Sequence, residues 1–146
     1  MHTITNQVEM KFDAKSINES FARMAVTAFM ADMNPTLDEI EDVKTAVSEA
    51  VTNAIIHGYN DETKQVIMIC KREDNKLTVI IEDAGVGITD IEQAKQPFYT
   101  TKQTEERSGM GFAFMEAFMD EMEVASHVGI GTRVVMVKYI ERGNDR

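Results

Sequence analysis

The feature that most constrains the fold is an amphipathic helix in the middle of the chain, between a Pro-containing break at 34–36 and Gly58. On one side Glu49, Asn53 and His57 follow each other at four-residue spacing, which places an acid, a carboxamide and an imidazole on one helix face. The other side is apolar and repeats every three or four residues. Its members are Ile40, Val43, Val47, Val51 and Ala54. The pattern is typical both of an ordinary surface helix and of a helix that lines a site.

Segments with strand periodicity lie on both sides of this helix. Apolar and polar residues alternate near the start of the chain, and two apolar runs joined by a polar turn follow the central helix. The two runs predict a hairpin whose strands are buried on both faces. The predicted strands are 8–12, 66–70, 77–82, 122–128 and 132–140, and the predicted helices are 16–33, 36–58 and one that begins near Phe112.

Both long helices start with the spacing of a capping box, in which a hydroxyl and a carboxylate three residues apart satisfy free backbone amides. In the first helix the pair is Ser16 and Glu19. In the central helix it is Thr36 and Glu39.

The first helix is apolar on two sides, and Arg23 lies on the narrow polar edge between them. One stripe is Ile17, Phe21, Met24 and Ala28, and the other is Ala22, Val26, Phe29 and Met33. A helix of this kind needs two packing partners. One is the core of the domain, and the second is either another subunit or deeper burial; the sequence leaves both open.

Composition limits the class of protein. A chain of 146 residues predicts one domain, 1–146, and no stretch approaches the roughly 18 apolar residues of a membrane span. The net charge of −10 argues against a nucleic-acid partner, because binding to a phosphate backbone depends on clustered cations. The single cysteine, Cys70, lies in an apolar run and is interpreted as a packing residue. Together with a polar N-terminus, it predicts a cytoplasmic protein.

An acid and two glycines mark one candidate binding site. Asp83 stands at the end of a predicted strand, and Gly85 and Gly87 allow the turn after it to approach a ligand closely. A carboxylate in this position can accept a hydrogen bond from an exocyclic amine, such as that of adenine.

The long connection after Asp83, about 84–111, is predicted to be a lid over this site. Gly109 and Gly111 precede the last helix, whose free amides and positive dipole end favour an anion such as a phosphate. Lys102 and Arg107 are cations placed to close over that anion.

The central helix supplies the chemistry that a nucleotide requires. Asn53 offers a hard oxygen that suits Mg²⁺, which keeps several waters and phosphate oxygens as its other ligands. Glu49, one turn earlier, is placed to take the proton from an attacking hydroxyl.

The order of these motifs resembles the ATP-binding superfamily of gyrase, the ninety-kilodalton heat-shock chaperone, histidine kinases and MutL. The matching segments are Glu49, Asn53 and 57–58, then 83–87, 96–102, 107–111 and 129–132. Within the superfamily, the segments 18–23, 34–36 and 105–112 are similar to small serine kinases that act as anti-sigma factors, in particular those of sporulation.

The resemblance implies an α+β fold, a two-layer sandwich with a mixed, mostly antiparallel sheet covered on one face by helices. It also implies that ATP and Mg²⁺ are held between the central helix and the lid. Asp83 would bind adenine and Thr132 would contribute to the same adenine site. Asn53 would bind Mg²⁺, and Glu49 would be the catalytic base. The remaining cofactor-binding residues would be Gly85, Gly87, Thr101, Lys102, Arg107, Gly109 and Gly111.

The resemblance further implies a homodimer that sequesters a sporulation sigma factor of the sigma F type. It would phosphorylate a serine of an anti-anti-sigma protein, and Arg23 would contact both partners. Two alternatives stay open: a kinase for a stress sigma factor of the sigma B type, and a nucleotide-regulated module that sequesters its partner without kinase activity. Glu49 favours an enzyme, because a pure binder needs no base beside Asn53.

Overall fold

The computed structural model describes residues 3–59, 64–84, 111–127 and 131–141. These residues form a five-stranded sheet with helices on one face. The strands are β1 (Thr5–Asp13), β2 (Gln65–Glu73), β3 (Lys76–Asp83), β4 (Glu121–His127) and β5 (Gly131–Tyr139). Their order in the sheet is β1-β2-β3-β5-β4, and each of the four pairings is antiparallel.

The helices form the second layer. They are α1 (Asn18–Met30), which continues into a 3-10 turn (Ala31–Met33), α2 (Leu37–Asn53), which continues into a π-helical turn (Ala54–Tyr59), and α3 (Gly111–Phe118). The central helix α2 packs against both α1 and α3. The predicted two-layer α+β fold is therefore confirmed.

The core lies between the sheet and the buried side of α2. That side consists of Val43, Ala46, Val47, Ala50 and Val51, and the sheet contributes Met68, Val79 and Met136, among others. Because the helices within the described residues cover only one face of the sheet, the prediction that both hairpin strands are buried on both faces is wrong for β2. Its even-numbered residues from Val66 to Arg72 are buried, whereas Ile67 and Ile69 are only half-buried.

The N-terminus of α2 has the predicted capping box. Glu39 accepts a hydrogen bond from the Thr36 amide at 2.8 Å, and the Thr36 hydroxyl accepts one from the Glu39 amide at 3.1 Å. The second carboxylate oxygen of Glu39 accepts from the amide of Glu141 at 3.0 Å. One buried acid thus joins the start of α2 to the chain just after β5.

The capping box predicted for α1 is wrong. The helix begins at Asn18 without a side-chain cap, and the Glu19 amide donates to the backbone carbonyl of Ser16 at 3.1 Å. A backbone turn through Lys15 already satisfies the first amides, and the Glu19 carboxylate is drawn one turn along the helix into an ion pair with Arg23.

The two apolar stripes of α1 have different environments. Ala22, Val26 and Met33 of one stripe are fully buried. In the other stripe Ile17, Phe21 and Met24 are 77%, 57% and 72% exposed. Deeper burial within the domain is therefore not the second partner of this helix.

Replacing Glu39 by Gln should lower the free energy of unfolding at neutral pH by about 1.5 to 3 kcal/mol, as expected when hydrogen bonds to a charged group are weakened. Burial favours the neutral acid, but hydrogen bonds from Glu141 and Thr36 and the charge of Lys138 outweigh it, so the pKa of Glu39 is lowered. The carboxylate therefore stabilises the fold above its unfolded pKa, and this contribution is lost as pH falls through the folded pKa. Urea unfolding of both proteins between pH 7 and pH 3 should show a difference that shrinks in acid. A difference independent of pH would contradict the prediction.

Candidate functional site

The end of β3 and the start of β5 place two predicted site residues side by side. Asp83 is directly opposite Thr132 in the antiparallel register, and both side chains are half-buried. In β3 the alternation that buries Leu77, Val79 and Ile81 continues to Asp83, so its carboxylate lies on the helix-covered face. The two residues that the sequence linked only through resemblance are thus neighbours across two strands.

Gly131 makes this close approach possible. It has a positive φ of 141°, a region that side chains rarely adopt. A Cβ atom at this position would lie 2.1 Å from the carbonyl oxygen of Asp83 and 2.8 Å from the Cα of Ala84. Glycine is therefore required where β5 begins, because it lets the backbone of β5 lie against the residue that follows β3.

Ser126 on β4 lies beside Thr132 and was not predicted from the sequence. It is opposite Thr132 in the β4–β5 register, and the two hydroxyl oxygens are 2.8 Å apart. The Ser126 hydroxyl is also 3.1 Å from the carbonyl oxygen of Gly131. The sequence did contain an indication of this pairing, because a hairpin centred on Gly129 would place residue 126 opposite residue 132.

The central helix places Glu49 and Asn53 one turn apart, both half-buried and away from the buried side of α2. The α-helical geometry ends at Asn53, and the chain continues as the π-helical turn. This turn lies against both β3 and β5. Single π-helical turns occur often at functional sites. The sequence predicted a regular helix to Gly58 and did not indicate this change of winding.

The helix α3 presents its first residue, Gly111, at the positive end of its dipole. Phe112 and Met115 are buried in the core. At the other end, the Lys138 amino group donates to the carbonyl of Phe118 at 2.7 Å and lies 3.3 Å from the carboxylate of Asp42 on α2. These contacts fix α3 to both α2 and β5.

Several predicted site residues lie outside the described residues, together with most of the proposed lid. They are Gly85, Gly87, Thr101, Lys102, Arg107 and Gly109. The side chain of His57 is also outside the described part of the structure.

Arg23 is on α1 beside the exposed apolar stripe. Its side chain is 39% exposed, forms an ion pair with Glu19 and donates to the Ser20 hydroxyl at 3.2 Å. The guanidinium is thus held by its own helix next to Phe21 and Met24, which are exposed.

Cys70 is fully buried, as predicted for a packing residue, and burial raises the pKa of its thiol to about 12. A thiol in this state is a poor nucleophile. Within the described residues, no helix has the length and apolar character of a membrane span.

The model of the histidine kinase-like ATPase domain family matches residues 12–138. Curated relatives carry a narrower name. The anti-sigma F factor of Clostridium novyi is 53% identical to the chain, over 93% of the chain and 96% of its own length. The anti-sigma F factor of a Thermoanaerobacter species is 54% identical, over 97% of the chain and 98% of its own length. The chain belongs to the histidine kinase-like ATPase family, among the anti-sigma F factors. The anti-sigma F factor of Geobacillus kaustophilus is 52% identical over 94% of both chains.

Solved structures agree on the fold. The RsbU and RsbW domains of a Mycobacterium tuberculosis protein superpose with a TM-score of 0.68 at 19% identity, over 92% of this chain and 32% of that one. The mycobacterial sensor histidine kinase MprB superposes with a TM-score of 0.58 at 15% identity, over 91% of this chain and 98% of that one. Membership of an ATPase-domain family implies that the chain binds ATP.

Proposed function

We propose that this protein is an anti-sigma factor that binds and inhibits a sporulation sigma factor of the sigma F type. It also uses ATP to phosphorylate a serine of its anti-anti-sigma partner. The observation that carries the proposal is an identity above 50%, over more than nine-tenths of both chains, to relatives named anti-sigma F factor. The protein would act in the cytoplasm, where sigma factors direct RNA polymerase.

The proposed nucleotide site lies between the C-terminal half of α2 and the end of β3. Asp83 accepts from the adenine amine with Thr132 beside it, and Gly111 at the start of α3 binds a phosphate. The carboxamide of Asn53 is a hard, half-buried oxygen donor and fits Mg²⁺, which would neutralise phosphate charge. From outside the described residues, Gly85, Gly87, Thr101, Lys102, Arg107 and Gly109 complete the proposed set.

In the proposed reaction Glu49 accepts the proton of the partner's serine hydroxyl as the serine oxygen attacks the γ-phosphorus. The bond from that phosphorus to the bridging oxygen breaks, and ADP leaves. Glu49 is one helical turn from Asn53, so the base and the residue proposed to bind Mg²⁺ are on one face.

A module that sequesters its partner without kinase activity is the second candidate function. The two functions differ in one measurement. The protein is incubated with ATP labelled at the γ-phosphate and with anti-anti-sigma proteins of the sigma F and sigma B systems, and transcription by each sigma factor is followed in parallel. Label on the sigma F-type partner together with inhibition of sigma F supports the proposal. Inhibition without label indicates the sequestering module, and label on the sigma B-type partner alone indicates the stress system.

We further propose that the protein is a homodimer and that its exposed apolar stripe on α1 is an interface. Ile17, Phe21 and Met24 are large apolar side chains exposed on one helix. A stripe of this kind on a surface indicates a protein–protein contact. Sedimentation of the parent and of a Phe21→Ser, Met24→Ser variant distinguishes a dimer through this stripe from a monomer.

Replacing Arg23 by Glu should weaken binding of the sigma factor by at least about tenfold, since arginines at interfaces are frequent hot spots. The new carboxylate also faces Glu19, so the local charge changes from a neutral pair to two negative charges. Binding is measured by surface plasmon resonance with and without ATP. Lys44→Glu on α2, which also reverses a cation paired with a nearby acid, serves as the control. Equal sigma-factor affinity of the Arg23 variant and the parent would contradict the role of Arg23.

A further inference from the structure

Lys138 joins the end of α3 to the first half of α2. It lies on the helix-covered face of β5, in the alternation that also places Met136 in the core, and its side chain is 12% exposed. The amino group donates to the carbonyl of Phe118, the last residue of α3, at 2.7 Å and lies 3.3 Å from the carboxylate of Asp42. Because the last carbonyls of a helix have no partner within it, the lysine caps α3 and ties that cap to α2 by charge.

From this joint the two helices extend toward the proposed phosphate site. The eight residues of α3 span about 12 Å, since each helical residue adds about 1.5 Å. In α2 the segment 37–41, about 7.5 Å of helix, precedes Asp42, which is shorter than α3. An α3 that packs along α2 from this point therefore runs toward the C-terminal half of α2. Over about 12 Å this direction brings Gly111 to the level of Glu49, one turn before Asn53.

We propose that Lys138 is a positioning residue for phosphoryl transfer: it fixes α3 along α2 and so aligns a phosphate at Gly111 with Asn53 and Glu49. Lys138 lies at the opposite end of α3 from that phosphate and acts through the helix. The transfer step depends on such alignment, and a displacement of about 1 Å can cost about 10²-fold in rate. The inference rests on the proposed function, in which Gly111 binds a phosphate and Asn53 binds Mg²⁺.

Replacing Lys138 by Met keeps a long apolar side chain but removes the hydrogen-bond donor and the charge. Single-turnover transfer from labelled ATP to the anti-anti-sigma partner, at saturating nucleotide, should fall by about 10- to 100-fold. ATP affinity, measured by calorimetry with Mg²⁺, should change by no more than about threefold, because the groups proposed to contact the nucleotide remain and alignment matters most in the transition state. Lys138→Arg keeps a charged donor and should recover most of the transfer rate.

A second variant weakens the same joint from the side of α2. Asp42→Asn removes the charge that faces Lys138 but leaves the hydrogen bond from Lys138 to Phe118 in place. Transfer should fall in this variant too, by a smaller factor than in Lys138→Met. The pair keeps the test open if the Lys138→Met variant does not fold, and thermal unfolding shows which variants are folded.

Glu39→Gln separates alignment from stability. Glu39 stabilises the same end of the domain, through hydrogen bonds from Thr36 and Glu141, so its loss is expected to destabilise the fold without releasing α3. Below its unfolding temperature this variant should transfer phosphate at the parent's rate.

Three results would overturn the inference while leaving the proposed function intact. They are the parent's transfer rate in the folded Lys138 and Asp42 variants, a loss of transfer in Glu39→Gln equal to theirs, and no recovery in Lys138→Arg. A folded parent that transfers no phosphate to the partner overturns the proposed kinase function and the inference with it.

Discussion

Replacing Glu49 by Gln should reduce phosphate transfer to the serine of the anti-anti-sigma partner by about 10²- to 10⁴-fold, the usual contribution of a general base. The amide keeps the size of the side chain but cannot take the proton of the attacking hydroxyl. Binding of ATP and of the sigma factor needs no proton transfer and should be retained. The measurements are single-turnover transfer from labelled ATP and equilibrium nucleotide binding on the same preparation.

Two further variants on α2 show whether the effect belongs to this position. Glu41→Gln removes an exposed acid of the same helix, paired with Lys44 at 3.3 Å, and should transfer phosphate at the parent's rate. Asn53→Ala should lower nucleotide affinity in the presence of Mg²⁺ as well as transfer, because it removes an oxygen that is proposed to bind the ion. If Glu49→Gln transfers phosphate as fast as the parent, then Glu49 is not the base and the sequestering module becomes the better proposal.

The fold could be predicted to the extent that short-range patterns determine it. Apolar periodicity located the helices and strands to within a few residues. Capping was less predictable: the same spacing gave a capping box at Thr36 and Glu39 but not at Ser16 and Glu19. The difference comes from the surroundings of the two acids. The buried Glu39 carboxylate also accepts a hydrogen bond from the Glu141 amide, whereas the Glu19 carboxylate forms an ion pair with Arg23 one turn away.

The candidate site was predictable where a motif contained the residue and not where strand pairing supplied it. Asp83 was predicted from its position at a strand end before two glycines, and Thr132 by resemblance, yet their direct juxtaposition follows from the β3–β5 register, in which sequence-distant residues meet. Ser126 belongs to no quoted motif and becomes visible only when β4 is paired with β5. The π-helical turn after Asn53 has no marker in hydrophobic periodicity, since one extra residue per turn hardly changes the pattern.

Replacing Asp83 by Asn should weaken ATP binding by at least about tenfold, because hydrogen bonds to a charged acceptor contribute about 1.5 to 3 kcal/mol. The amide can present a donor to the adenine amine where the carboxylate only accepts. Asp83 is half-buried on the helix-covered face, so water replaces the lost bond less readily than on an open surface. Calorimetric titration with ATP measures the effect, and thermal unfolding shows whether the variant is folded.

The adjacent acid provides a matched control for the Asp83 variant. Glu82 is one residue away, on the opposite face of β3, where it forms an ion pair of 3.2 Å with the half-exposed Arg133. Exposed pairs of this kind contribute about 0 to 1 kcal/mol to stability, so Glu82→Gln should bind ATP like the parent. A loss confined to Asp83→Asn assigns the base subsite to the helix-covered side of the β3 end. A folded Asp83→Asn variant with the parent's affinity would remove Asp83 from the site, and with it the reason for placing adenine beside Thr132.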